Sequence, residues 1–209
     1  MEILSINRLS KKQEQEVITL ISETWQIDKQ ISKQADRERV LKLFITVLFL
    51  TNNFAFFAVL DHKIVGLIIG KATRHYRITN FLYYGMKMLQ QIGFLPFYTQ
   101  EAKQYLKEYF NISDTQKRLI KQTEKMTNEV SLFAVSPTHQ GMGIGKQLMA
   151  KAIQQFQSLQ IQQFKLFTDT RCSYQFYDKN NFQLQATQKV WLTPQSEETI
   201  MLYAKNISC

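Results

Sequence analysis

The chain has 209 residues, of which 44% are hydrophobic and 21% charged, so its composition argues against disorder and allows one domain with a substantial core. The net charge of +9 leaves nucleic acid, an anionic membrane surface or a highly phosphorylated ligand open as partners. Two cysteines, Cys172 and Cys209, are too few for a disulfide framework and favour a cytoplasmic location. We expect no signal peptide at the start of the chain. We also expect no membrane span, because the apolar stretch Val40–Leu60 is interrupted by polar residues.

The hydrophobic pattern predicts strands and helices in alternation before residue 74. A strand over Glu2–Leu9 precedes an amphipathic helix, for which Ser10 is the expected N-cap. A second helix is predicted over Asp36–Leu50. The apolar runs Phe54–Leu60 and Lys63–Gly70, joined by Asp61 and His62, predict a hairpin.

Residues 74–125 interrupt this pattern and are rich in Tyr, Phe, Lys and Gln. Helical runs are predicted over Phe81–Gln91 and Glu101–Phe110, with a break between them at Gly93 and Pro96, and a further polar run covers Thr115–Lys125. The segment is too short for a core of its own, so we predict a helical insertion within a single domain of residues 1–209.

The insertion also carries a mixture of basic and aromatic residues: Arg74, His75, Tyr76, Arg77, Tyr83, Tyr84, Phe94, Phe97 and Tyr98. Such a mixture is compatible with nucleic-acid binding, an acceptor pocket, a membrane surface or packing between subunits. We favour a helical cover that partly shapes an acceptor site.

After the insertion the alternating pattern returns. The predicted elements are a strand over Glu129–Val135, a turn over Gln140–Gly145, a helix from Ile144, a strand over Phe164–Thr168, a short helix over Ser173–Lys179, and strands over Phe182–Leu192 and Thr199–Ala204. The predicted fold class is therefore α/β, with a mixed (α+β) sheet of six to seven strands flanked by helices and an insertion between the third and fourth strands.

Three of the seven glycines, Gly141, Gly143 and Gly145, lie within five residues between a predicted strand and a predicted helix. Glycine permits positive φ and a close approach of the backbone to a ligand. The N–H groups and the dipole at a helix start favour an anion. The spacing thus predicts an anion cradle rather than a turn that binds nothing.

The cradle does not match two common phosphate-binding patterns. In a dinucleotide fingerprint, Lys146 or Leu148 would occupy the position of the third glycine. In a P-loop, Gln140 and Gln147 would replace the first glycine and the last Ser or Thr. A Q-x-x-G-x-G pattern over residues 140–145 remains.

This pattern, the strand before it and the helix after it resemble the acetyl-CoA-binding core of the GNAT N-acetyltransferase family. The segment Phe176–Phe182 resembles that family's F-Y-x-x-x-G-F motif, and most of the chain outside the insertion follows the family's order of elements. The resemblance implies that the coenzyme pyrophosphate binds to the backbone of Gln140, Gly141, Met142, Gly143, Ile144, Gly145 and Lys146. It also implies that Phe133, Ala134 and Val135 bind the pantetheine arm through main-chain groups, as an added strand would.

The resemblance further implies direct attack of an amine on the thioester. Tyr177 matches the family's general acid, and a phenol with a pKa of about 10 is protonated at neutral pH. Glu129 is the candidate base, either directly or through water. The alternatives are a packed core tyrosine and an exposed charge at a strand end.

The sequence departs from the family pattern at two positions. Thr170 stands where the family often has Asn in contact with coenzyme or water, and Asn181 stands where it has Gly. Asn tolerates a left-handed φ, so the second change can preserve the turn. We expect Cys172 to be a packed residue, because no histidine forms a triad with it, and we expect no metal site.

These observations favour an N-acetyltransferase that uses acetyl-CoA to modify a primary amine. The alternatives are an inactive module of the same fold that binds coenzyme A or a phosphorylated ligand as a sensor or partner, and, least favoured, a nucleic-acid-binding protein. A homodimer stays open. The sequence does not identify the amine, which could belong to a small molecule or to a protein.

Overall fold

The computed structural model describes residues 1–73, 78–123, 126–193 and 196–207. Within these ranges the elements are β1 (Glu2–Ser5), α1 (Lys11–Trp25), α2 (Gln34–Thr51), β2 (Phe54–Leu60), β3 (Lys63–Lys71), α3 (Ile78–Ile92), α4 (Gln100–Gln122), β4 (Glu129–Val135), α5 (Ile144–Ser158), β5 (Gln163–Asp169), α6 (Gln175–Lys179), β6 (Gln183–Thr193) and β7 (Ser196–Asn206). Short 3₁₀ helices lie at Ile27–Lys29, Leu95–Phe97 and Pro137–His139.

The described strands form one 7-stranded sheet in the order β1-β2-β3-β4-β5-β7-β6. Neighbouring strands are antiparallel except for β4 and β5, which are parallel. This mixed sheet, with an insertion of α3 and α4 between the third and fourth strands, confirms the predicted fold class.

Local sequence signals explain where α1 begins and how the β2–β3 hairpin turns. Ser10 caps α1 in a reciprocal capping box with Gln13, as its position predicts. Asp61 and His62 have φ values of 48° and 60°, which suit a two-residue hairpin turn with the right-handed twist of the strands. The predicted first strand is too long: β1 ends at Ser5, whose partner Phe56 lies near the start of β2. The chain then turns inward, and Leu9 is buried.

The insertion differs from its prediction in one respect. Gly93 and Pro96 separate α3 from α4 as expected, but α4 does not end with the second predicted helical run and continues into the polar run as far as Gln122. Leu119, within that polar run, packs with Ile112 against β6 and β7, and this burial outweighs the weak helix propensity of the residues between the two runs. The basic segment Arg74–Arg77 lies outside the described residues.

Helices cover both faces of the sheet. α1 and α2 bury residues such as Val17, Ile21 and Ile45 against Leu67 of β3 on one face. α5 packs Leu148, Ala152 and Phe156 against the opposite face. This arrangement leaves the edge between β4 and β5 accessible from the end of the sheet where β4 stops.

The buried carboxylate of Asp36 joins the insertion to α2. Its Oδ2 accepts a hydrogen bond from the backbone N–H of Thr99 at 2.9 Å, directly before α4, and its Oδ1 accepts one from Arg39 at 3.1 Å. The Thr99 N–H is the main cause that lowers the pKa of Asp36 below its ordinary value.

Replacing Asp36 with Ala is expected to lower the free energy of unfolding by about 1–3 kcal/mol, because the Thr99 N–H and Arg39 lose an acceptor. Because the pKa is lower in the folded state, this stabilisation is present above the ordinary carboxyl pKa and is lost as the pH falls through the folded value. Urea denaturation at neutral and acidic pH measures the difference. Asp114→Ala is the control, since Asp114 forms an exposed pair with Lys117 and should contribute less than about 1 kcal/mol. Equal losses in the two variants would contradict this account.

Candidate active site

β4 and β5 pair only where they begin. Glu129 lies opposite Lys165 and Val130 opposite Leu166, and the two strands share no further register. β4 nevertheless stays paired with β3 as far as Val135. The two strands therefore enclose a slot that is closed near Glu129 and open towards α5.

The backbone of β4 directs hydrogen-bonding groups into this slot. The Ser136 N–H donates to Val65 of β3 at 2.9 Å, so alternate residues direct their N–H and C=O groups to β3 or away from it. By this alternation the groups of Phe133 and Val135 point into the slot, whereas those of Ala134 point to β3. The Gln140 side-chain amide donates to the Val135 carbonyl at 3.4 Å, which places Gln140 at the mouth of the slot.

The glycine turn lies at this mouth. Gly141 and Gly143 have φ values of 81° and 77°, in the left-handed region that favours glycine. A Cβ added at either position would meet no atom within 4 Å, so the conformation and not crowding requires glycine there. Gly145 is different: its Cβ would lie 3.2 Å from Cζ of Phe133, so it permits α5 to pack closely on β4.

The first turn of α5 presents an anion-binding backbone. Gly143 is its N-cap and supplies no side chain, and the first turn contains no acidic residue. The first N–H groups of a helix have no partner within the helix, and its dipole is positive at that end. Ile144 is buried and holds the turn against the core, while Met142 and Lys146 are exposed.

Tyr177 lies on α6 and is connected to β4 through aromatic contacts. The Phe133 and Phe176 rings are 5.4 Å apart, and the rings of Phe176, Phe182 and Tyr203 surround Tyr177 at 5.4–5.6 Å. Burial raises the pKa of Tyr177 well above its ordinary value of 10.0, and the neighbouring Cys172 adds to this shift. The phenol is therefore a proton donor throughout the neutral range.

Glu129 lies at the closed end of the slot and is not an isolated strand-end charge. Its Oε2 is 3.6 Å from the ammonium of Lys165, which is buried and donates to the Met126 carbonyl at 2.5 Å. The Ser131 hydroxyl lies 3.2 Å from Oε1 of Glu129 and 2.7 Å from the amide oxygen of Asn52. Glu129 is thus held in position from two sides while its side chain stays partly exposed.

The hydroxyl of Thr170 faces β7. It donates to Oε2 of Glu198 at 2.5 Å and accepts from the Thr199 N–H at 3.2 Å. The predicted coenzyme contact at Thr170 stays a prediction, and it would have to coexist with these two bonds. Asn181 has a φ of 57°, the left-handed value that its place in the motif anticipates.

Cys172 is exposed, so the prediction of a packed residue is wrong. Its position in the loop between β5 and α6, one residue after the Asp169–Arg171 pair, leaves it at the surface. Desolvation of the thiol and then the Asp169 carboxylate raise the pKa of Cys172, which does not favour a nucleophilic thiolate.

The sequence reasoning missed two tyrosines of the insertion that lie on this side of the sheet. Burial raises the pKa of Tyr105 to about 12, with Arg171 and Asp169 among the charges that act on it. Burial and the Glu129 carboxylate raise the pKa of Tyr109, whose ring packs against Phe44 at 5.4 Å. Their helical spacing of four was a signal that both face the same surface. α4 therefore brings the Tyr109 phenol within electrostatic range of Glu129.

The described ranges of the chain contain no cluster of three or more His, Cys, Asp or Glu side chains placed to hold a metal ion. They also contain no helix with the length and apolarity needed to cross a membrane.

Comparison with known proteins supports the resemblance. Residues 111–184, which include β4, the glycine turn and Tyr177, match the family model described as an acetyltransferase (GNAT) domain. No curated protein sequence matches the chain significantly.

Solved structures share the fold over almost the whole chain. An aminoglycoside 6'-N-acetyltransferase complexed with coenzyme A superimposes with a TM-score of 0.58 at 13% identity, covering 99% of this chain and 97% of its own. A polyamine N-acetyltransferase of Drosophila melanogaster gives 0.56 at 12% identity over 99% and 100% of the two chains. The PaiA N-acetyltransferase of Thermoplasma acidophilum, in complex with coenzyme A, gives 0.52 at 15% identity with the same coverage.

Proposed function

We infer from the GNAT acetyltransferase domain of this chain that it transfers an acetyl group from acetyl-CoA to a primary amine. One observation carries this inference: the slot beside β4 opens directly onto the glycine turn at the start of α5. A long thiol-bearing arm that ends in a pyrophosphate fits this combination, because the slot offers strand-like hydrogen bonds and the turn offers an anion site.

The turn would hold the pyrophosphate. The backbone N–H groups of residues 141–146 supply the donors, and Lys146 adds a positive charge at the surface. The Gln140 side chain, already bonded to Val135, would orient the first part of this turn.

β4 would align the pantetheine arm. The inward groups of Phe133 and Val135 are the proposed partners, and Ala134 contributes to the strand between them. This contact needs no specific side chain, which explains how the same arm binds to proteins of very different sequence. It would direct the thioester towards the closed end of the slot, where Glu129 and Ser131 lie.

The proposed chemistry uses two polar groups, Glu129 at the closed end of the slot and Tyr177 on α6. The neutral amine attacks the thioester carbon, a C–N bond forms, and the C–S bond breaks. Glu129, directly or through a water molecule, takes the proton that the nitrogen loses. Tyr177, kept protonated by its raised pKa, donates a proton to the departing thiolate.

The alternative is a module of the same fold that binds coenzyme A without turnover. Two contacts favour it: the carboxylate of Glu129 is paired with Lys165, and the Thr170 hydroxyl is engaged with Glu198. Thioester consumption across a panel of amines separates the two functions. The panel should include aminoglycosides, polyamines, amino acids, peptides with a free N-terminus and lysine peptides. Binding of acetyl-CoA with no turnover on any amine would favour the module.

Replacing Glu129 with Gln tests the proposed base. Gln preserves the size of the side chain and its bond to Ser131 but cannot accept a proton, so we expect kcat to fall about 100-fold or more while coenzyme affinity is kept. Stopped-flow release of the thiol measures kcat on the best amine of the panel. An unchanged kcat would remove Glu129 from the mechanism.

This substitution also leaves the buried Lys165 without its partner, so stability needs a control. The double variant Glu129→Gln with Lys165→Met removes both charges and should remain as inactive as the single variant. Glu197→Gln breaks the Lys189–Glu197 pair on the β6–β7 hairpin and should keep full activity.

A further inference from the structure

α3 presents a continuous apolar face to the surface. Leu82, Met86 and Leu89 are exposed to 68%, 66% and 69%, and they follow the i, i+4, i+7 spacing of one helix face. Phe81 and Ile92, also exposed, flank this stripe. Among the exposed residues between Phe81 and Gly93, Gln90 alone has a polar side chain. We call these five apolar residues and Gly85 the α3 face.

Gly85 lies in the middle of α3, and no contact of the described residues explains why a glycine is there. A Cβ added at this position would meet no atom within 4 Å, so none of the described residues needs the space. A glycine inside a helix costs about 1 kcal/mol relative to alanine. A small residue in an exposed apolar face is what a second helix requires in order to approach closely.

The α3 face bears no charge of its own. Lys87, on the adjoining side of the helix, is bound to Glu14 at 2.8 Å and lies over the Tyr83 ring. A second chain with the same +9 charge could therefore meet this face without like charges opposed at its centre.

The exposed area has the size of one side of a dimer interface. The five side chains, together with exposed Phe94 and Phe97 after the helix, expose about half to three quarters of their surfaces. At roughly 100 Å² each they offer ~700 Å², close to the about 800 Å² per partner of a stable protein interface.

We propose that the α3 face packs against the α3 face of a second copy of this chain, with the helices crossing near Gly85. The contact is isologous, so Leu82 and Leu89 of one copy lie against the same face of the other about a two-fold axis. The glycine turn and the slot belong to other elements. The dimer therefore holds whether or not the proposed reaction does.

Sedimentation of the full chain tests the proposal. The mass expected is twice the 24.6 kDa of the monomer, at concentrations on the order of 10–100 µM that saturate a micromolar contact. Met86→Glu and Leu89→Glu should each sediment as monomers, because they bury a charge in the contact. Leu184→Glu is the control, since Leu184 on β6 is also exposed, to 51%, and this variant should stay dimeric.

Gly85→Ala should change two quantities in opposite directions, the affinity of the dimer and the stability of the monomer. The methyl group should raise the dissociation constant of the dimer about tenfold or more, while the helix of the monomer gains stability from the better helix former. A wild-type monomer at 100 µM, or a dimer that survives both glutamate variants, would overturn the proposal. Cosedimentation of monomeric wild type with phosphatidylserine vesicles, abolished by Met86→Glu, would overturn it in favour of a membrane surface.

Discussion

Replacing Gly143 with Asp is expected to weaken the binding of coenzyme A by about 100- to 1,000-fold. The position is the N-cap of α5 with a φ of 77°, and it has open space where a side chain would project. A carboxylate about 4 Å from a phosphate charge costs about 4 kcal/mol at an effective dielectric constant of 20, and each 1.4 kcal/mol is a factor of ten. Calorimetric titration with coenzyme A measures the change.

Gly143→Asn is the matched control for this prediction. Asn and Asp have the same size, both tolerate a left-handed φ, and both cap helices, so the two variants differ mainly in charge. The Asn variant should lose much less affinity than the Asp variant. Equal affinity in the two variants would show that no anion lies at this turn, and retained affinity in Gly143→Asp would refute the cradle.

Replacing Tyr177 with Phe is expected to lower kcat by about 100-fold or more, within the 10²- to 10⁴-fold range of general acid catalysis, and to leave coenzyme affinity nearly unchanged. The ring contacts with Phe176 and Phe182 survive the change, so the loss isolates the hydroxyl. Because the pKa of Tyr177 is raised, its phenol stays protonated, and the loss should be the same factor from pH 6 to 9.

Tyr203→Phe controls for the removal of a buried hydroxyl in the same cluster. The Tyr203 ring packs on Tyr177, and its hydroxyl donates to Asp178 at 2.8 Å. This variant should lose stability, as the loss of a buried hydrogen bond predicts, but keep kcat within a few-fold. A kcat in Tyr177→Phe that matches the wild type would leave Tyr177 as a packed core residue.

The local elements of the site could be predicted because their signals are local. Glycine spacing places the turn, and strict apolar runs place β4 and the hairpin of β2 and β3, whose bounds agree with the structure to within one residue. The capping box at Ser10 is likewise a contact between residues three apart. Such signals depend on backbone geometry that neighbouring residues alone determine.

The contacts between residues distant in the chain could not be predicted from local sequence signals. Glu129 was expected as a base or as an exposed charge, and its pairing with buried Lys165 depends on the parallel register of β4 and β5. The continuity of α4 through Asn111 and Asp114 depends on burial of Leu119 against β6 and β7. The apolar pattern of α3 predicts a helix but not which of its faces is exposed.

Several conclusions drawn from the sequence stay predictions. These are the single-domain organisation over residues 1–209, the cytoplasmic location, and the roles of Tyr177, Glu129, Thr170 and the turn residues. The identity of the acceptor amine is open as well.

The binding position of coenzyme A tests the central claim most directly, and titration of the isotope-labelled protein followed by backbone amide shifts measures it. The account predicts saturable shifts, largest at the amides of Gly143, Ile144, Gly145 and Lys146 and at those of Phe133 and Val135, which face the slot. Saturating coenzyme A that leaves these amides unchanged, or that shifts residues elsewhere in their place, would contradict it.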